Sequence, residues 1–348
     1  VDDERVFFHL RPWTLLWPKD ALAASSVDML RRGAISGLVA AALAATVGGE
    51  AGAAGRKAPP KVGVTEIKAG SGGTTLTLAA KAAPYPMKGS VYDDPTVVVF
   101  VPASYRLPAS KKVDVVVHFH GHNTTARRVI GAHALREQVV ESKQNAILVV
   151  PQGPVDASDG DFGKLMKSGG VARLLSEVLE LCATKAASKA LGDAGLGSAK
   201  GAGRVVASAH SGGYRAAAAA AQRGGVDLRE VYLFDALYGE LGAFADFASE
   251  PEKRHKLVSY AVAGKPLTNG EKLAKMLEAR GVDLAVETGS RRVSRAEMVN
   301  SRAVFLLGSA ATHASATYQE RALRDCMLAS CLVGHDTKAW HAAKQKQR

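Results

Sequence analysis

Apolar residues recur along this chain in two rhythms. From Lys61 onward, short β-branched runs alternate with stretches in which apolar positions fall every three or four residues. Thr96–Val101 and Val113–His120 are near-continuous β-branched runs, and Ala146–Val150 is another, stopped by Pro151. Such runs predict strands buried on both faces. Val62–Lys68 and Thr74–Ala80 alternate polar and apolar positions and predict antiparallel strands at one edge. Val171, Leu174, Leu175, Val178, Leu179 and Cys182 recur at helical spacing. Beyond them the pattern predicts strands at Arg204–Ala207, Val231–Phe234, Leu257–Val262 and Ala303–Leu307. Helices are predicted at Tyr214–Gln222, at Glu271–Arg280 with Gly281 as its C-terminal cap, and at Ala316–Leu328. Strands alternating with helices predict an α/β domain over residues 61–335. Its central sheet is mainly parallel and flanked by helices, with antiparallel edge strands at the N-terminal side. Ligand sites in such sheets lie beyond the carboxyl ends of the strands.

Composition narrows the class. Of 348 residues, 47% are hydrophobic and 22% charged, which is globular rather than disordered. The formal net charge is +12. The basic residues are scattered, with local excess at Arg291, Arg292 and Arg295 and in a tail over 336–348. They lack the regular aromatic interleaving of a nucleic-acid stacking platform, so a basic soluble surface is expected and no nucleic-acid partner. The three cysteines, Cys182, Cys326 and Cys331, are too few for a disulfide framework, and no CxxC spacing suggests zinc. Cys326 and Cys331 could pair only if a helix ends between them.

Residues 29–54 read as a signal peptide. Met29 is followed by Arg31 and Arg32, then by the apolar stretch Ile35 to Val47, then by small residues at Ala51, Gly52 and Ala53. The apolar stretch is short for a membrane span. Residues 1–28 are expected to be an over-extended start, residues 55–60 a linker, and the product secreted or periplasmic.

The chemistry is sought where apolar runs end. After Arg204–Ala207 come Ser208, Ala209, His210, Ser211, Gly212 and Gly213, then the alanine-rich helix. A nucleophile elbow needs small residues two before and two after the nucleophile, here Ala209 and Gly213. The common G-x-S-x-G pattern becomes A-H-S-G-G. Ser211 is the candidate nucleophile, the N–H of Gly212 a candidate oxyanion donor, and His210 a candidate substrate contact. The other reading is a glycine turn with Ser211 as a helix cap.

His118, Phe119, His120, Gly121, His122 and Asn123 end the strand that begins at Val113. In one reading His120–Gly121 is a turn that aims the N–H of His122 at an oxyanion. In the other, His118, His120 and His122 share a strand face and bind a metal. For the base, His313 follows the last strand and precedes a helix. His255 lies in a charged run and is expected to be solvated. For the acid, the loop after Leu257–Val262 carries no carboxylate, so Asp235, one strand earlier, is the candidate; Glu240 and Asp246 are weaker ones. The order Ser211, Asp235, His313 is that of a serine triad.

On the elbow, the HG turn and the ordered triad, residues 95–330 resemble the α/β-hydrolase superfamily, in particular secreted bacterial esterase- or depolymerase-like members. The resemblance implies a serine hydrolase that cleaves an ester or amide bond, with no cofactor. It places the acid in a minority, lipase-like position. The loop from Gln152 to Gly170 should overhang the site, with Phe162 and Lys164 as candidate pocket residues. No long cap insertion is evident, which implies an open site for a small-molecule or polymeric ester. A metal-dependent hydrolase and a catalytically silent envelope-binding protein on the same fold remain alternatives.

Overall fold

A computed structural model describes residues 61–157, 160–287, 291–308 and 311–334. The expected leader, signal peptide, linker and basic tail lie outside the described residues. The described strands form one ten-stranded sheet. They are β1 (Gly63–Gly70), β2 (Gly73–Ala79), β3 (Thr96–Pro102), β4 (Val113–Phe119), β5 (Ile147–Pro151), β6 (Ala202–His210), β7 (Asp227–Phe234), β8 (Lys256–Ala261), β9 (Leu284–Glu287) and β10 (Ala303–Leu307). Their spatial order is β1-β2-β3-β5-β4-β6-β7-β8-β10-β9. The pairs from β1 through β3 to β5 are antiparallel, and all others are parallel.

Side-chain alternation explains the layers. Val97 and Val99 of β3, Val115 and Val117 of β4, and Leu233 of β7 point to one face. Val98, Phe100, Val116 and Phe234 point to the other. The first face packs α3 (Gly170–Cys182), α4 (Lys185–Leu191), α5 (Tyr214–Arg223), α6 (Leu241–Ser249) and α7 (Gly264–Ala279). The second packs α1 (Ala126–Ala132), α2 (Leu135–Ser142), α8 (Arg295–Asn300) and α9 (Ala322–Leu328). The alternation predicted the helix-flanked, mainly parallel sheet, and its strand order is that of the α/β-hydrolase fold, which the resemblance implied. Among the described residues, no helix is long and apolar enough to cross a membrane.

Several elements differ from expectation. β6 runs three residues further, to His210, because the polar Ser208 is satisfied inside the sheet. It sits opposite His118 on β4, and His118 Nδ1 lies 2.9 Å from Ser208 Oγ. α7 begins at Gly264 rather than Glu271, with Pro266 in its first turn, where a missing N–H is harmless. The expected helix over 316–328 becomes tight turns and then α9, because Glu320 and Arg321 are left-handed, with φ of 63° and 58°. His255 is not solvated: it is buried and stacks on Phe247 at 4.1 Å, with its Nδ1 2.9 Å from the Phe247 carbonyl. α9 ends between Cys326 and Cys331, and all three cysteines are free.

Register sets up one end of the sheet. Phe119 pairs with Ala209, His210 with Phe234, and Phe234 with Tyr260. The residues just past these strand ends, His120, Ser211, Asp235 and Val262, are therefore delivered side by side.

Candidate active site

Ser211 breaks β6 with φ of 52°. A non-glycine residue reaches the left-handed region only when its surroundings hold it there. Here the surroundings are tight. A Cβ added at Gly213 would lie 2.3 Å from the Phe119 carbonyl oxygen. Ala209 is fully buried. Both flanking positions therefore demand small side chains, and the strand–turn–helix has the form of a nucleophile elbow.

Asp235 follows β7 in the same left-handed region, with φ of 44°, and is 3% exposed. Its N–H donates to the Tyr260 carbonyl at 2.7 Å, and its Oδ1 accepts from the Val262 N–H at 2.9 Å. The second oxygen, Oδ2, lies 2.6 Å from His313 Nδ1. His313 opens a short 3-10 turn beyond β10, held by reciprocal hydrogen bonds between Thr312 and Ser315. Its Nε2 lies 2.9 Å from Ser211 Oγ. Ser211, His313 and Asp235 thus form one hydrogen-bonded chain. The weaker acid candidates lie elsewhere: Asp246 pairs with Arg280 at 2.8 Å, and Glu240 is an exposed residue before α6.

The HG turn approaches the same point. A Cβ on Gly121 would stand 2.7 Å from Ser211 Cβ, so only glycine allows this closeness. Neither the N–H of His122 nor that of Gly212 has a backbone partner among the described residues. His120 locks the turn: Nδ1 donates to the Gly121 carbonyl at 2.8 Å, and Nε2 accepts from the Gly153 N–H at 2.9 Å. The loop after β5 closes beside it. Asn123 N–H donates to the Val155 carbonyl at 2.8 Å, and His122 Nε2 lies 3.3 Å from Asp156 Oδ1. Gly160 packs so close that an added Cβ would meet the Gly212 oxygen at 1.6 Å.

The other sequence-predicted contacts fare differently. Phe162 is 1% exposed and packs edge-on against Phe119 at 5.4 Å, so it belongs to the core and not to a pocket wall. The ammonium of Lys164 is engaged by the Lys81 carbonyl. His210 is buried and turned away from solvent; its Nε2 lies 2.7 Å from the His313 carbonyl oxygen. The three histidines of the metal reading diverge. His118 goes to Ser208, His120 to Gly121 and Gly153, and His122 to Asp156. Among the described residues, no group of three or more His, Cys, Asp or Glu is arranged to hold a metal. Sequence reasoning missed His133, whose ring stands edge-on to His210 at 4.8 Å, and Tyr238, edge-on to His313 at 6.2 Å. His133 carries no local signal, because it ends a helix too short to show a period.

Burial keeps this histidine group neutral. It pushes His118 well below 6.5, His120 and His210 to about 4, and His133 to about 3. In the unfolded chain each ring titrates near about 6.5, so below that pH the unfolded state binds more protons and stability falls. Each ring adds a slope of up to about 1.4 kcal/mol per pH unit until its folded value is reached. Urea midpoints should therefore be flat above about pH 6.5 and drop steadily from there to about pH 4. A midpoint that holds steady through that window would mean that the rings are charged in the folded protein.

Strand order and elbow together define an α/β-hydrolase fold that carries a serine, a histidine and an aspartate in hydrogen-bonded sequence. No family model and no curated protein matches the chain. Solved structures similar to it include a feruloyl esterase module from Clostridium thermocellum, at 12% identity and a TM-score of 0.45, over 78% of this chain and 89% of that one. Another is a ferulic acid esterase, at 13% identity and 0.43, over 77% and 100%. A fluorophosphonate-binding serine hydrolase of Staphylococcus aureus is similar at 11% identity and 0.40, over 73% and 95%. At these identities the likeness assigns no residue a role.

Proposed function

We propose that this protein is a serine hydrolase that cleaves carboxylic esters through an acyl-Ser211 intermediate. The observation that carries the reading is the chain of contacts from Ser211 Oγ to His313 Nε2 at 2.9 Å and from His313 Nδ1 to Asp235 Oδ2 at 2.6 Å. In the resting site His313 carries its proton on Nδ1 and donates it to Asp235, which leaves Nε2 free to accept from the serine hydroxyl. As Oγ attacks the ester carbonyl, the Ser211 hydroxyl proton moves to Nε2 while Nδ1 keeps its own, and the buried carboxylate stabilises the imidazolium. The Nε2 proton then passes to the departing alkoxide. Water repeats the sequence on the acyl-enzyme. The N–H groups of His122 and Gly212 receive the oxyanion, and each such donor is typically worth about 3 kcal/mol.

The substrate approaches an open surface. The His313 side chain is 46% exposed, and the chain between β7 and β8 holds only α6. A groove of about 1260 Å³ lined by Lys112, Asp114 and Arg204 lies at the amino-terminal end of the parallel strands, away from Ser211. A bulky or polymeric ester fits this setting.

The test is reaction of the wild-type protein with a fluorophosphonate probe and a panel of p-nitrophenyl esters. Labelling at Ser211 together with turnover supports the reading, and a folded protein that does neither sinks it. Export through residues 29–54 belongs to the same proposal. N-terminal sequencing of the exported protein should begin after residue 54, and a mature chain that retains residues 29–54 overturns it.

A further inference from the structure

His210 occupies a position that neither the fold nor the triad requires to be histidine. It immediately precedes Ser211, is 7% exposed, and shares strand parity with Val206 and Ser208, so its ring turns toward the α1 face of the sheet. There it meets the base from behind. The His210 Nε2–H donates to the His313 carbonyl oxygen at 2.7 Å, and the two rings lie 4.9 Å apart at 36°. His133 stands edge-on behind it at 4.8 Å. His133 is the C-cap of α1, its backbone N–H engaged by the Val129 and Gly131 carbonyls. On its other edge, His210 Nδ1 lies beside Gly121, where an added Cβ would come within 3.3 Å of it. A single ring therefore borders the turns that carry the nucleophile, the base and the candidate oxyanion donor.

We propose that His210 is a positioning residue, whose Nε2–H anchors the His313 backbone and so sets the reach of His313 Nε2 to Ser211 Oγ. The inference rests on the serine-hydrolase reading above. Its chemistry suits histidine. A neutral imidazole with its proton on Nε2 donates to a carbonyl without adding charge beside His313. A cation there would oppose the imidazolium that must form in the transition state. Burial and the neighbouring His313 push the ring down to about 4, against the opposing pull of its hydrogen bond and of Asp235, so it is neutral at neutral pH.

The experiment compares three variants on p-nitrophenyl acetate. His210→Gln carries an amide nitrogen near the place of Nε2 and retains the donor. His210→Asn is polar but too short to reach the carbonyl. His210→Phe keeps the ring and removes the donor. Phe and Asn should lower kcat about 10- to 100-fold with KM unchanged, the loss typical of a base misplaced by about an ångström. Gln should recover most of that loss. Should Phe prove unstable, the contrast of Gln with Asn carries the test. Equal losses in Gln and Asn, or a normal kcat in Phe, overturn the inference. So does a raised KM at normal kcat, which would return His210 to the substrate wall. Fluorophosphonate labelling of the wild type is run alongside. Its absence overturns the serine-hydrolase reading itself, whereas labelling with indistinguishable variants overturns only the role of His210.

Discussion

Ser211→Ala is expected to lower kcat for ester hydrolysis about 10⁶-fold and to abolish fluorophosphonate labelling, with the fold intact. The substitution removes one oxygen, the atom 2.9 Å from His313 Nε2. It leaves the Asp235–His313 bond in place, and it leaves the N–H groups of Gly212 and His122. A residual rate of about 10³-fold over water is expected from those donors and from binding alone. Burst kinetics of p-nitrophenol release check the same point: a burst in the wild type reports acyl-enzyme, and the variant should show none. Turnover by Ser211→Ala within tenfold of wild type would end the covalent mechanism and leave the hydroxyl as a turn residue.

Asp235→Asn is expected to reduce kcat about 10⁴-fold with little change in KM. The geometry supplies the reason. Asp235 uses one oxygen for the Val262 N–H and the other for His313 Nδ1. In the asparagine variant the amide oxygen must stay with Val262, whose N–H can only donate. The NH₂ then faces His313 Nδ1 and requires a lone pair there. That moves the ring proton to Nε2, where it blocks acceptance of the serine proton. The folded structure should survive, because the variant fills the same volume and keeps the Val262 bond. Nearly full activity would mean that another carboxylate orients His313. The measurement is therefore a direct test of an acid that stands one strand earlier than the loop after β8.

The loop after β8 carries no acid, and the structure shows what stands there instead. Gly264 opens α7 there, and Val262 offers a backbone N–H in place of a carboxylate. The sheet and most of its strands were legible, because burial on both faces writes itself as β-branched runs with no polar interruption. Several short elements escaped. α1, α8 and β9 span only about two periods each, too few to stand out from chance, and α6, LGAFADFAS, has no wide polar face to contrast with its buried side. The sequence pattern ends β6 at Ala207, because Ser208 and His210 look like turn residues. Their partners, His118 on the next strand and the carbonyl of His313, are invisible in a local window.

The same distinction runs through the site. The sequence by itself determined the class of fold and the elbow, since hydrophobic period is a local property and a left-handed nucleophile needs small residues at fixed offsets. Ala209 and Gly213 meet that need within four residues of each other. Only the tertiary structure decided what Ser211 touches. His313 lies 102 residues from Ser211, and Asp235 lies 78 from His313. Their meeting depends on strand order and on the register that pairs Phe119 with Ala209, His210 with Phe234 and Phe234 with Tyr260. It also decided direction. His210 ends β6 and Phe162 lies in the loop after β5, both at the strand end where substrate contacts are sought, but alternation turns the first ring inward and packing on Phe119 the second. A side chain's place in the chain sets which strand end it occupies, while long-range packing sets whether it faces the substrate or the core.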